Sequence, residues 1–70
     1  MSKLLRFKIG EKLKELRVKK GLTQQQVADL SEVDYKHVQK MEGKTPSDIR
    51  IETLEKICKA LNVSLSQFLK

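Results

Sequence analysis

Seventy residues make room for one domain and leave it a core of only marginal net stability. The lone Cys58 excludes an intramolecular disulfide, no group of Cys and His stands at metal-ligand spacing, and no apolar run approaches a membrane span. A formal charge of +6 on so short a chain singles out a polyanion as the partner class that would gain most.

The same composition sets further expectations. One proline, three glycines and few aromatics favour helices joined by short turns, so the fold class is all-α. A single His, a single Cys and no convergent carboxylates leave nothing from which to assemble a nucleophile and base, which argues against an enzyme. No cofactor or metal is implied. The amino-terminal stretch lacks the uninterrupted apolar centre of a secretory signal, and the expected setting is cytoplasmic. The small core makes a homodimer a natural expectation.

Helix one is expected over residues 8–20, where Ile9, Leu13 and Leu16 recur at helical spacing and Gly21 supplies a stop. Ahead of it, Leu4, Leu5 and Phe7 either extend this helix or pack on a second subunit. Eight of the fifteen Lys and Arg residues lie between Lys3 and Lys20, against only Glu11 and Glu15. That excess reads either as a solvated face or as a phosphate-binding one. A membrane-surface helix is disfavoured, because its apolar stripe is needed to cover the core.

Three later helix starts share one pattern, an apolar residue, a capping residue, three further residues and a second apolar residue. It runs from Leu22 to Val27, from Val33 to Val38 and from Val63 to Phe68. The oxygens of Thr23, Asp34 and Ser64 accept from first-turn N–H groups, and each apolar pair closes as a hydrophobic staple. Gln26 and Gln67, three residues after their caps, complete capping boxes. Only eleven residues separate the caps Thr23 and Asp34, so helices two and three meet across a tight corner, with small Ala28 allowing close approach.

The segment from Gly43 to Asp48 is turn chemistry, and helix four follows with Ile51, Leu54, Ile57, Cys58 and Leu61 on one face and Asn62 as its stop. Cys58 reads as a small core residue. A short helix five from the Ser64 cap ends the chain. Its Leu65, Phe68 and Leu69, with Leu4 and Phe7, are the expected dimer surface.

The residues from Gly21 to Ala28, then Val33, Val38 and Met41 to Lys44, then Glu52 to Ile57 and Ala60 to Leu65, resemble the Cro/C1-type (XRE) helix-turn-helix family of phage repressors, restriction-modification controllers and antitoxins. The likeness covers residues 8–69. It implies a compact five-helix, lambda-repressor-like DNA-binding domain over 1–70, with the helix-turn-helix at 24–42. One departure stands at the corner, where the family usually carries glycine and this chain has Glu32, at a cost on the order of 1 kcal/mol.

The resemblance implies double-stranded DNA as partner and helix three in the major groove. With Val38 and Met41 turned inward, Tyr35, Lys36, Gln39 and Lys40 point outward as base-reading candidates; the alternative is a solvated face. Lysine donates to guanine O6 and N7, Gln39 pairs with adenine, and the Tyr35 ring meets a thymine methyl. Gln24, at the dipole end of helix two, matches the family's phosphate-holding glutamine. Lys44 and Thr45 are further phosphate candidates. His37 is either another or a plain surface residue. Asp34, with the wrong charge for DNA, caps. Arg17 and Glu42 match a family pair that joins helix one to the end of helix three, a structural role. The implied function is a transcriptional regulator, a repressor or autoregulator that binds a pseudo-palindromic operator as a dimer. RNA polymerase is a further candidate partner. The alternative is an antitoxin whose main partner is a toxin protein.

Overall fold

The computed structural model describes residues 3–43 and 49–68. Over these residues the chain forms α1 (Lys3–Lys19), α2 (Gln24–Ser31), α3 (Tyr35–Met41), α4 (Ile51–Leu61) and a 3-10 turn at Leu65–Phe68, with no strand among them. The expected all-α order holds, except that the fifth element is one 3-10 turn rather than an α-helix. At its start the Ser64 N–H donates to Gln67 Oε1 at 2.9 Å, but the Ser64 hydroxyl is engaged with that of Ser66, also at 2.9 Å. Half of the expected capping box is therefore formed.

The other caps form as their chemistry requires. Gln26 N–H donates to Thr23 Oγ1 at 3.1 Å and Thr23 N–H to Gln26 Oε1 at 2.8 Å, a complete capping box. Asp34 accepts from the Lys36 N–H at 3.1 Å. Gly21 at φ 70° and Asn62 at φ 56° end α1 and α4 in the left-handed conformation. In each, the following N–H reaches back to a carbonyl in the last turn, Leu22 to Arg17 and Val63 to Cys58, both at 3.0 Å.

Helix α1 begins earlier than residue 8 because Leu5 packs against the core, which extends the apolar stripe of Ile9, Leu13 and Leu16 by a turn. Leu4 and Phe7 face solvent. Two other expectations change. Ile51 is 52% exposed, and Ile49, just before α4, is buried instead. Phe68 is also buried in the chain's own core, so it is no part of an open dimer surface. The 3-10 turn folds back onto α1 and α4 and spends that ring within the monomer. Leu69 lies outside the described residues.

Val27 and Ala28 of α2, Val38 and Met41 of α3, and Leu54, Ile57, Cys58 and Leu61 of α4 close the core. Burial, with Glu55 nearby, pushes the Cys58 thiol up from its ordinary pKa, as fits a protonated core residue.

Two backbone details position α3. Gly10, buried inside α1, lies so close to the end of α3 that a Cβ there would collide with the Met41 carbonyl oxygen and stand 3.1 Å from its carbon. At the corner, Glu32 adopts φ 60°, ψ 25°, the left-handed turn that glycine would occupy without strain. Buried Ser31 steadies this corner, donating to the Val27 carbonyl at 2.6 Å and accepting from the Val33 N–H at 3.3 Å.

Gly10→Ala is expected to cost about 1–3 kcal/mol in urea denaturation despite alanine's better helix propensity, because backbone must move to admit the methyl group. A stabilised variant would show that α1 and α3 do not touch there. Glu32→Gly is expected to stabilise the fold by up to about 1 kcal/mol, since relief of the positive φ exceeds the entropy glycine adds to the unfolded chain; a loss of stability would contradict the left-handed corner.

Candidate nucleic-acid interface

Seven residues make α3 too short to hold a shape by propensity, so its orientation is set by what it packs on. Val38 and Met41 are fully buried, and the small, buried Ala28 lies in the partner helix α2. Helical geometry then turns Tyr35, Lys36, Gln39 and Lys40 outward, and all four are exposed, as the spacing predicts. His37 is half-buried, between the two faces. Lys36, Gln39 and Lys40 line an open groove of ≈ 440 Å³ that ends at Gly43. Lys44 and Thr45 lie outside the described residues.

The far end of α3 is clamped. Glu42 receives Arg17 Nε on Oε2 at 2.8 Å and Arg17 Nη2 on Oε1 at 3.0 Å, a two-pronged pair whose carboxylate side chain is 3% exposed. The third arm of the guanidinium, Nη1, donates to the Leu22 carbonyl at 2.9 Å and ties the α1–α2 turn into the same joint. The hydrogen bond to Glu42, aided by its charge and opposed by burial, raises the already high pKa of Arg17, which is charged at any working pH.

Gln24, named above for phosphate, sits at the first position of α2, half-buried, and donates from Nε2 to Glu42 Oε1 at 3.2 Å. The sequence holds no signal for this bond, which spans eighteen positions between residues of ordinary polarity. Gln24 borders a second groove, of ≈ 420 Å³, with Lys14, Arg17, Thr23, Gln25, Tyr35 and Glu42. The groove therefore combines the open end of α2 with a lysine from α1. Lys14 is one of many in a basic run, and only the fold, which brings it to the groove at the start of α2, sets it apart. A further unanticipated contact lies on the outer face of α3, where Gln39 Nε2 donates to the Tyr35 hydroxyl at 3.0 Å.

Among the described residues no group of His, Cys, Asp or Glu is placed to hold a metal, and no helix is long and apolar enough to cross a membrane. The geometry is that of a basic surface with a short helix standing out from it.

Comparison with known proteins agrees with that geometry. A helix-turn-helix family model matches residues 13–68, most of the chain. The chain belongs to the Cro/C1-type (XRE) helix-turn-helix family. Among solved structures, it is similar to the restriction-modification controller protein C.AhdI from Aeromonas hydrophila, at 30% identity and TM-score 0.84, over 90% of this chain and 94% of that one. It is similar to the controller C.Esp1396I at 31% identity and TM-score 0.86, over 97% of this chain and 87% of that one. C.Esp1396I bound to a 25-base-pair operator site matches at 32% identity and TM-score 0.83, over 93% of this chain and 84% of that one. No curated protein sequence matches significantly. In this family frame α2 and α3 are the two helices of the motif, and the Arg17–Glu42 pair joins the end of α3 to α1.

Arg17→Ala and Glu42→Ala are each expected to lose about 3 kcal/mol, because each leaves a poorly solvated charge without its partner. The double variant should lose little more than either single change. Additive losses in urea denaturation would show that the two side chains do not act as one unit.

Proposed function

We propose that this protein is a sequence-specific DNA-binding transcriptional regulator that lays α3 in the major groove and holds the flanking backbone with the start of α2. The observation that carries the reading is the exposed row Tyr35, Lys36, Gln39 and Lys40 on a helix whose opposite face is fully buried and whose end is clamped. Family membership, and the operator complex of the similar controller C.Esp1396I, support it. Family and fold are those of regulators rather than enzymes.

In this reading Lys36 and Lys40 donate to guanine acceptors, and Gln39 meets adenine. Gln24, with Lys14 across the groove and the free N–H groups of the first turn of α2, holds a phosphate. His37, between the two faces, is a phosphate contact at the edge of the footprint, as are Lys44 and Thr45 beyond α3. The basic excess of α1 adds long-range attraction. One seven-residue helix reads few base pairs, so the protein acts as a homodimer, with two copies of α3 about one helical turn apart on a pseudo-palindromic operator. Repression by occluding the promoter is the simplest outcome of such binding. The setting is the cytoplasm, where the DNA is.

Selection of bound sequences from a random duplex pool is the direct test, and enrichment of no sequence would overturn the reading. On the selected site, Lys36→Ala and Lys40→Ala are expected to lose about 1–3 kcal/mol and to relax base preference. Gln24→Ala should weaken binding to all sequences alike. Affinity should fall steeply with added salt, and a flat profile would contradict phosphate binding.

A further inference from the structure

Tyr35 borders the Gln24 groove, and its hydrogen-bond partner Gln39 lines the groove beside it on α3. The Tyr35 hydroxyl, on the outer face of α3, accepts from Gln39 Nε2 at 3.0 Å, four residues on. Both residues are exposed, and neither side chain is needed for the core. In this bond the Gln39 amide is turned with its Nε2 toward Tyr35, which leaves its carbonyl oxygen and second N–H for another partner.

A glutamine amide carries two N–H donors and one carbonyl acceptor, and it offers different patterns according to how it is turned. With one N–H given to Tyr35, one donor and the carbonyl remain. That pair complements the N7 acceptor and N6 donor of adenine in the major groove. Were the amide turned over, with the Tyr35 hydroxyl donating to Gln39 Oε1, both N–H donors would face outward and the carbonyl oxygen would be turned toward Tyr35. Those would complement the N7 and O6 acceptors of guanine. An unpaired glutamine at this position would sample both orientations and discriminate poorly.

We infer that Tyr35 is a positioning residue for specificity, holding the Gln39 amide in the orientation that selects adenine. The inference rests on the DNA-binding reading above. It assigns Tyr35 a role different from contact with a thymine methyl: with its hydroxyl proton given to a phosphate oxygen at the edge of the Gln24 groove, the Tyr35 oxygen can only accept, and so it admits the Nε2 end of the Gln39 amide and not the carbonyl end.

The test uses the full chain in random-pool selections, followed by titration of duplexes that differ only at one base pair. Gln39→Ala identifies the pair that Gln39 reads, as the one position whose preference disappears. Wild-type protein should prefer adenine there by about tenfold or more. Tyr35→Phe keeps the ring and removes only the hydroxyl, and it should bring the adenine-to-guanine ratio at that pair close to one. The Tyr35→Phe, Gln39→Ala double variant should match Gln39→Ala alone. The ratio between bases in otherwise identical duplexes divides out any general loss of affinity or stability, so a merely structural role would not move it.

Guanine preferred by the wild type at that pair, or an adenine preference undiminished in Tyr35→Phe, would overturn the positioning role while leaving sequence-specific binding intact. A Gln39→Ala variant with every preference unchanged would do the same. A wild-type chain that enriches no sequence would overturn the DNA-binding reading and this inference together.

Discussion

The carboxylate of Glu42 is the point on which the arrangement of the first three helices depends. It sits one residue past α3, almost wholly out of solvent, and three donors from two other elements converge on it: two from Arg17 and one from Gln24. A buried carboxylate without such partners would be strongly unfavourable, so the chain holds this geometry or forfeits the fold in this region. Because Arg17 also grips the Leu22 carbonyl, the joint locks α1, the turn after it, the start of α2 and the end of α3 in one network. Hydrogen bonds in such a network depend on one another, which makes the assembly stiffer than pairwise contacts alone.

That stiffness matters because α3 has only seven residues. A helix of that length is not stable by itself, and its direction is borrowed from its surroundings. Val38 and Met41 anchor its inner face, Asp34 and the Glu32 corner set where it begins, and Glu42 sets where it ends. Gly10 brings α1 against the last turn, so close that no side chain fits between them. A surface that distinguishes base pairs needs its donors held within fractions of an ångström, and these contacts supply that order before DNA arrives.

Charge is distributed to the same end. Two acids that flank α3 are engaged: Glu42 by Arg17 and Gln24, and Asp34 by a backbone N–H. The lysines of α3 stay exposed. A polyanion approaching α3 meets exposed lysines while the Glu42 carboxylate is enclosed within the protein, and the basic α1 extends the attraction beyond the contact area.

Helix starts and stops were legible in the order of residues because they are short-range chemistry. Thr23 with Gln26, Asp34 before Lys36, and the left-handed Gly21 and Asn62 all act within a few positions along the chain, whereas the left-handed corner at Glu32 was signalled only by the family resemblance. The outward row of α3 followed from the same helical geometry once Val38 and Met41 were assigned inward, and family resemblance supplied the Arg17–Glu42 pair. Contacts between distant positions were decided by packing. Whether Ile49 or Ile51 entered the core, whether Phe68 covered its own chain or waited for another, and why Gly10 rather than alanine stands inside α1 depended on where neighbouring helices came to rest. The bond from Gln24 to Glu42 and the place of Lys14 beside it have the same origin. Tyr35 and Gln39, at helical spacing, were seen as neighbours, but the hydrogen bond between them is a side-chain geometry that spacing does not specify. Capping and periodicity act through the local backbone, whereas a side chain's partner across the fold exists only after the helices have docked.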